Sequence, residues 1–130
     1  MIIRLTDEQK HLLLEESRRE YPVEACGLLF GDSDSEEAVI RKIVAVKNTL
    51  ESSSNFRVDP EEFLKSLSEA EKEGMKLVGF FHSHPAAPHP SPTDVRYMRL
   101  WPEVVWLIIS SINHDMAAFQ IVNGALQRAS

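Results

Sequence analysis

Two histidines, His82 and His84, flank a single serine and are followed, across a proline-rich loop, by Asp94, the only carboxylate between His84 and Glu103. The run Lys76 to Phe81 (KLVGFF) is short and apolar, bounded by Gly74 and by the prolines after His84, and reads as a buried strand. If that strand continues through His82, side-chain alternation puts both imidazoles on one face. Two imidazole nitrogens and one carboxylate oxygen suit zinc, and three protein ligands with a fourth position left for water is the arrangement of catalytic zinc sites. A plainer reading stands beside it. His-Ser-His is then an ordinary strand end, and Ser91-Pro92-Thr93-Asp94 starts a helix, with Ser91 as N-cap, Pro92 at the first helical position and Asp94 three residues on. Spacing alone leaves both open, and they are compatible, since a helix start would hold Ser91 and Asp94 at the mouth of a site.

The run H-S-H-P from His82, then P-S-x-x-D ending at Asp94, with Glu24 far upstream in P-V-E-A-C-G-L-L, resembles the JAMM (MPN+) zinc metallopeptidase family, especially its small bacterial members. The likeness runs from Leu5 to about Gly124. It implies that His82, His84 and Asp94 bind Zn2+, that Glu24 is the general acid/base and that Ser91 supports the transition state. Six residues separate His84 from Ser91, one fewer than is usual in that family. The resemblance also implies a curved mixed sheet with packed helices, cytidine-deaminase-like, with the zinc at its edge. The implied reaction is hydrolysis of an amide or isopeptide bond. For a bacterial-type chain the implied substrate is a ubiquitin-like sulfur-carrier protein ending in Gly-Gly, or a peptide tail of that kind. The alternative, from another class, is a non-catalytic MPN-type interaction scaffold. Such domains lose motif residues, whereas all five are present here.

A carboxylate must take a proton from the attacking water and deliver it to the leaving amine. Glu24 is the candidate; without the motif it would read as a solvated glutamate at a strand entrance. Ser91 would offer its hydroxyl to the oxyanion, or act as a cap alone. No G-x-S-x-G elbow is present. Zinc-deaminase chemistry would want H-x-E and a later pair of cysteines, and Cys26 is alone. The same count excludes an internal disulfide and a C-x-x-C motif. Cys26 lies in an apolar strand and reads as a small buried hydrophobe. His89 reads as solvated, with lining the cleft as the alternative. His114 belongs to a surface turn, while Trp101 and Trp106 are expected in the core.

The elements that must position these residues can be read in order. Residues 6–20 form an amphipathic helix capped by Thr6 and Gln9, with Leu12 and Leu13 on its apolar face. Strands are expected at Cys26–Gly31, closed by a turn at Gly31 to Asp34, and at Ala38–Val46. A polar stretch, Asn48 to Asn55, suits a flap over a bound tail, and Phe56 to Val58 a short strand. Asp59 and Pro60 start a helix that stops at Gly74. After the histidines come a helix from Pro92 to about Leu100, a strand at Val104–Ser110, and two strands around the hairpin signal Asn123-Gly124. This alternation indicates an α/β class with a mixed sheet. The 130 residues, 43% hydrophobic, fit one domain over 1–130. A net charge of −6 argues against a nucleic-acid or anionic-membrane binder. With no signal-like or membrane-length apolar run, a cytoplasmic protein is expected.

Overall fold

A computed structural model describes residues 1–50 and 57–129. Among the described residues, seven strands form one mixed sheet: β1 Ile2–Arg4, β2 Cys26–Ser33, β3 Glu37–Val46, β4 Lys76–His84, β5 Val105–Ser110, β6 Met116–Val122 and β7 Ala125–Ala129. Three helices, α1 Asp7–Glu20, α2 Pro60–Lys72 and α3 Pro92–Met98, pack on it. The strand order is β1-β3-β2-β4-β5-β6-β7. β4 lies at the centre, antiparallel to β2 and parallel to β5. The β4–β5 connection is a crossover through α3, as a parallel pair requires.

Alternation along the strands makes two cores. Leu29 of β2, Phe81 of β4 and Leu107 and Ile109 of β5 face α1, where Leu13 meets them. Leu28, Phe80, Trp106 and Ile108 face the other way, toward α2 and α3, with Ala70 and Met98. Full burial of a side chain such as Leu28 contributes roughly 1.5–3 kcal/mol. His82 and His84 continue the second face. Gly79 fixes how closely β4 and β5 approach, because a Cβ there would run into the Val105 carbonyl.

The caps follow the sequence. Thr6 and Gln9 make a reciprocal box at the start of α1, and Asp59 caps α2 with Pro60 at its first position. Asn123 and Gly124 have φ of 51° and 79°, which suits a two-residue hairpin loop joining β6 to β7. Four expectations are corrected. Leu12 is exposed, and the buried stripe of α1 is Leu13 with Ser17. β2 continues through Gly31 by a register shift at Phe30/Gly31, and the turn comes at Asp34, whose Oδ1 accepts from Glu36 and Glu37 N–H. Arg57 and Val58 are not strand; Arg57 instead accepts from Thr49 N–H at 2.9 Å. β1 is a further strand, three residues parallel to β3. Phe56 and most of the expected flap, 51–55, lie outside the described residues.

Candidate metal centre and active site

The site forms at the carboxyl end of the central strand, the end where open α/β sheets bind ligands. Cys26 of β2 pairs with His82 of β4, so the antiparallel ladder, carried two residues on, sets Glu24 opposite His84. The join is made by Ala25 and Ser83: Ser83 N–H donates to the Ala25 carbonyl at 2.9 Å, and Ala25 N–H donates to Ser83 Oγ at 2.8 Å. Ser83 therefore turns away from the histidines and locks the segment carrying Glu24. Asn48 works from beneath, its Nδ2 donating to the Glu24 carbonyl at 3.2 Å while its Oδ1 accepts from Leu50 and Arg57 N–H. The expected flap thus begins at a buried anchor. His84 is fixed by its own carbonyl, which accepts from Ser111 N–H at 2.8 Å and from the Ser111 hydroxyl at 3.0 Å.

Asp94 arrives on the first turn of α3. Ser91 Oγ accepts from Asp94 N–H at 3.0 Å, and Asp94 Oδ2 accepts from Ser91 N–H at 2.9 Å, a full capping box. The same Oδ2 lies 3.1 Å from Nε2 of His82 and 3.1 Å from Nε2 of His84. Helix capping and convergence on the histidines are one arrangement, and the shorter loop after His84 still aims Asp94 at both rings. Glu24 Oε1 stands 3.8 Å from His84 Nε2. Donor atoms of Glu24, His82 and His84 lie within 4.8 Å of one another, a grouping compatible with a metal site.

The electrostatics are those of a buried cluster. Glu24 is 2% exposed and Asp94 4%. Both Glu24 carboxylate oxygens are buried with no hydrogen-bond partner among the described residues, a costly state unless a further group satisfies them. Burial, and then the Asp94 charge, push the Glu24 carboxyl up to about 8. Burial also raises Asp94, but the contacts with His82 and His84 and the Ser91 N–H outweigh it and hold that carboxyl well below its usual range. Burial holds His82 below the ordinary imidazole range against the opposing pull of Asp94. Cys26 is buried among apolar side chains, and burial pushes its thiol up to about 12, which removes it as a nucleophile.

Of the sequence candidates, the structure brings Glu24, His82, His84 and Asp94 to one point, with Ser91 capping beside them. His89 is exposed, its ring 5.5 Å from that of Phe119, and His114 is exposed in its turn. Trp106 is buried as expected, but Trp101 is 41% exposed, a correction to its expected core role. Ser83, Asn48 and Ser111 are positioning residues that the sequence reading missed. The alternation of β4 gave a signal for Ser83, since it must face opposite to the histidines; nothing local marks the other two.

The sequence profile of the prokaryotic homologs of the JAB domain matches residues 7–122. The chain belongs to that family. This JAB-family chain is 47% identical over 89 residues to a desampylase of Pyrococcus furiosus, a match covering 68% of this chain and 60% of that protein. The chain thus spans less than two thirds of that relative's length. A CysO-cysteine peptidase of Mycobacterium tuberculosis is 30% identical over 118 residues, covering 88% of this chain and 79% of that protein. A solution structure from Desulfitobacterium hafniense superposes on the JAB-family fold with a TM-score of 0.87 at 33% identity, covering 100% of this chain and 90% of that one. Among the described residues no helix is long and apolar enough to cross a membrane.

Proposed function

We propose that this chain is a zinc-dependent metallopeptidase, one JAB-type domain over residues 1–130, acting in the cytoplasm. It hydrolyses the amide or isopeptide bond after the C-terminal Gly-Gly of a ubiquitin-like sulfur-carrier protein. The observation that carries this reading is the meeting of Nε2 of His82 and Nε2 of His84 with one Asp94 oxygen, 3.1 Å from each, beside the second buried carboxylate of Glu24. With ligand bonds of about 2.0–2.2 Å, neighbouring donors of a tetrahedral zinc site lie roughly 3.3–3.6 Å apart; the two 3.1 Å contacts are slightly shorter, and the donors need part by only a few tenths of an ångström to admit a cation of that size. Ligation needs a deprotonated imidazole nitrogen, and the burial that lowers His82 favours that form. The relatives' names, desampylase and CysO-cysteine peptidase, support hydrolysis as the activity and a modifier or carrier tail as its object.

Zinc held by His82, His84 and Asp94 would supply Lewis-acid activation of a water and of the scissile carbonyl. Glu24 takes the proton from that water and passes it to the leaving amine, general base and then general acid. Burial and the neighbouring Asp94 charge raise the proton affinity of its carboxyl above that of an exposed glutamate, which suits a proton carrier. Ser91 uses a lone pair to accept the Asp94 N–H and keeps its hydroxyl hydrogen to donate to the oxyanion. Asp94 is itself held by the Ser91 N–H, which donates to its Oδ2.

Metal analysis beside a chelator-treated control tests the ion: about one zinc per chain is expected, and its retention by a His82→Ala/His84→Ala double variant would refute the ligands. Glu24→Gln should keep zinc and lose hydrolysis of Gly-Gly-linked conjugates by about 10²–10⁴-fold. Turnover near wild type removes Glu24 from the mechanism, and a zinc-loaded sample that cuts no tail favours the scaffold.

A further inference from the structure

Beside the ligand cluster, among the described residues, lies a cavity of about 380 Å³. Phe63, Phe80, Tyr97, Trp101 and Trp106 line it, and Asp94 belongs to its wall. Rings of Phe63, Phe80 and Trp101 stand 5.4–6.1 Å apart, centroid to centroid. Tyr97 and Trp101, four positions apart, are 57% and 41% exposed, so large apolar faces are left partly in water at a concave surface, the signature of a binding site. Trp106 is 4% exposed, and its indole N–H has no hydrogen-bond partner among the described residues. Buried indole N–H groups normally find one; an acceptor brought by an occupant would satisfy it.

Geometry fixes where along a bound tail this cavity acts. The His82 ring is 6.5 Å from the Trp106 ring, which is 4.8 Å from Phe80, itself 5.4 Å from Trp101. An extended chain advances about 3.3 Å per residue, so the third residue back from a bond at the histidines, roughly 7–10 Å away, reaches the aromatic wall. The two glycines of the proposed tail offer no side chain to grip, and selectivity must come from the next residue. When the leaving group is a single amino acid, only the carbonyl side of the tail is long enough to arrive there. Resting on the peptidase reading, we propose that the cavity is the specificity pocket of this site. It takes one large apolar side chain, of leucine, methionine or phenylalanine size, from the residue immediately before the Gly-Gly pair of an extended peptide tail.

The test uses zinc-loaded full chain and peptides ending X-Gly-Gly-Cys, with X leucine, alanine or aspartate, their cleavage followed by mass. In parallel, product tails ending X-Gly-Gly are titrated against intrinsic fluorescence, because the chain's two tryptophans both line the cavity. The leucine tail should exceed the aspartate tail in kcat/KM by about 10–100-fold and should alone change the fluorescence strongly. Trp101→Ala, at a half-exposed position, should compress that ratio to within about threefold; Tyr97→Ala serves as a second variant. Equal cleavage of all three tails overturns the pocket and leaves the peptidase reading standing. Cleavage of none, with a fluorescence response confined to the leucine tail, keeps the pocket and sinks the peptidase. Neither cleavage nor a selective response overturns both.

Discussion

Glu24 and Ser83 depend on one another across the β2–β4 ladder. Glu24 is held opposite His84 because Ser83 Oγ satisfies the buried Ala25 N–H next to it. Ser83→Ala leaves that N–H without its side-chain partner and should cost about 1–3 kcal/mol, read as a lowered urea midpoint at unchanged slope. Zinc should still bind, because Ser83 points away from the imidazoles, while kcat falls more than KM rises as Glu24 loses its anchor. A variant that keeps wild-type stability and rate would show that the backbone pair alone holds this segment. The histidine pair and Asp94 were legible in the sequence, since strand alternation and a helix-start signature are local patterns. The burial of Glu24 was not, because a glutamate before a strand reads as solvated until the facing strand is known. Ser83 and Asn48 bond to groups 58 and 24 residues away, a separation that no local pattern reports.

At the scale of elements, α3 is short, seven residues, and its first turn carries Asp94, the carboxylate that meets both imidazoles. Two roles of Ser91 are therefore superposed, and substitution separates them. Ser91→Ala removes the cap, at about 1 kcal/mol, together with the hydroxyl, whereas glycine costs a cap only a few tenths. Both variants should lose on the order of 10²-fold in kcat if the hydroxyl meets the oxyanion, but only alanine should melt clearly lower. Activity that tracks stability across the pair would reduce Ser91 to a cap. The longer helices were readable because their caps and prolines are written in order. β1 was not, as three residues carry no period. The end of β2 was placed early because Gly31 and Asp32 look like a turn, whereas β3 pairs across them through a register shift. Trp101 was expected in the core on its apolar surroundings, but it lies beyond the last turn of α3, where a cavity rather than the sheet receives it.

For the whole molecule, the site concentrates two buried carboxylates and two imidazoles at the end of its central strand, beside both cores. A cation bound only by the folded chain should stabilise it by mass action, about 2.7 kcal/mol at a hundredfold excess over Kd, a rise in Tm on the order of 10 °C for a chain of this size. Melting with zinc against melting with chelator reads this directly, and the His82→Ala/His84→Ala variant should show no difference between the two. A wild-type Tm indifferent to zinc would mean that the folded site does not hold the ion. The architecture separates two inheritances. His82, His84 and Asp94 travel on one contiguous strand, loop and helix, while Glu24 comes from a distant stretch of the gene and touches them only across the ladder. A lineage that changed the Glu24 codon alone would keep the sheet, the ion and the tail pocket and lose the proton carrier. On the proposed mechanism its product would bind a tail without cutting it, so a hydrolase and a tail-binding adaptor of this fold would stand one substitution apart in descent.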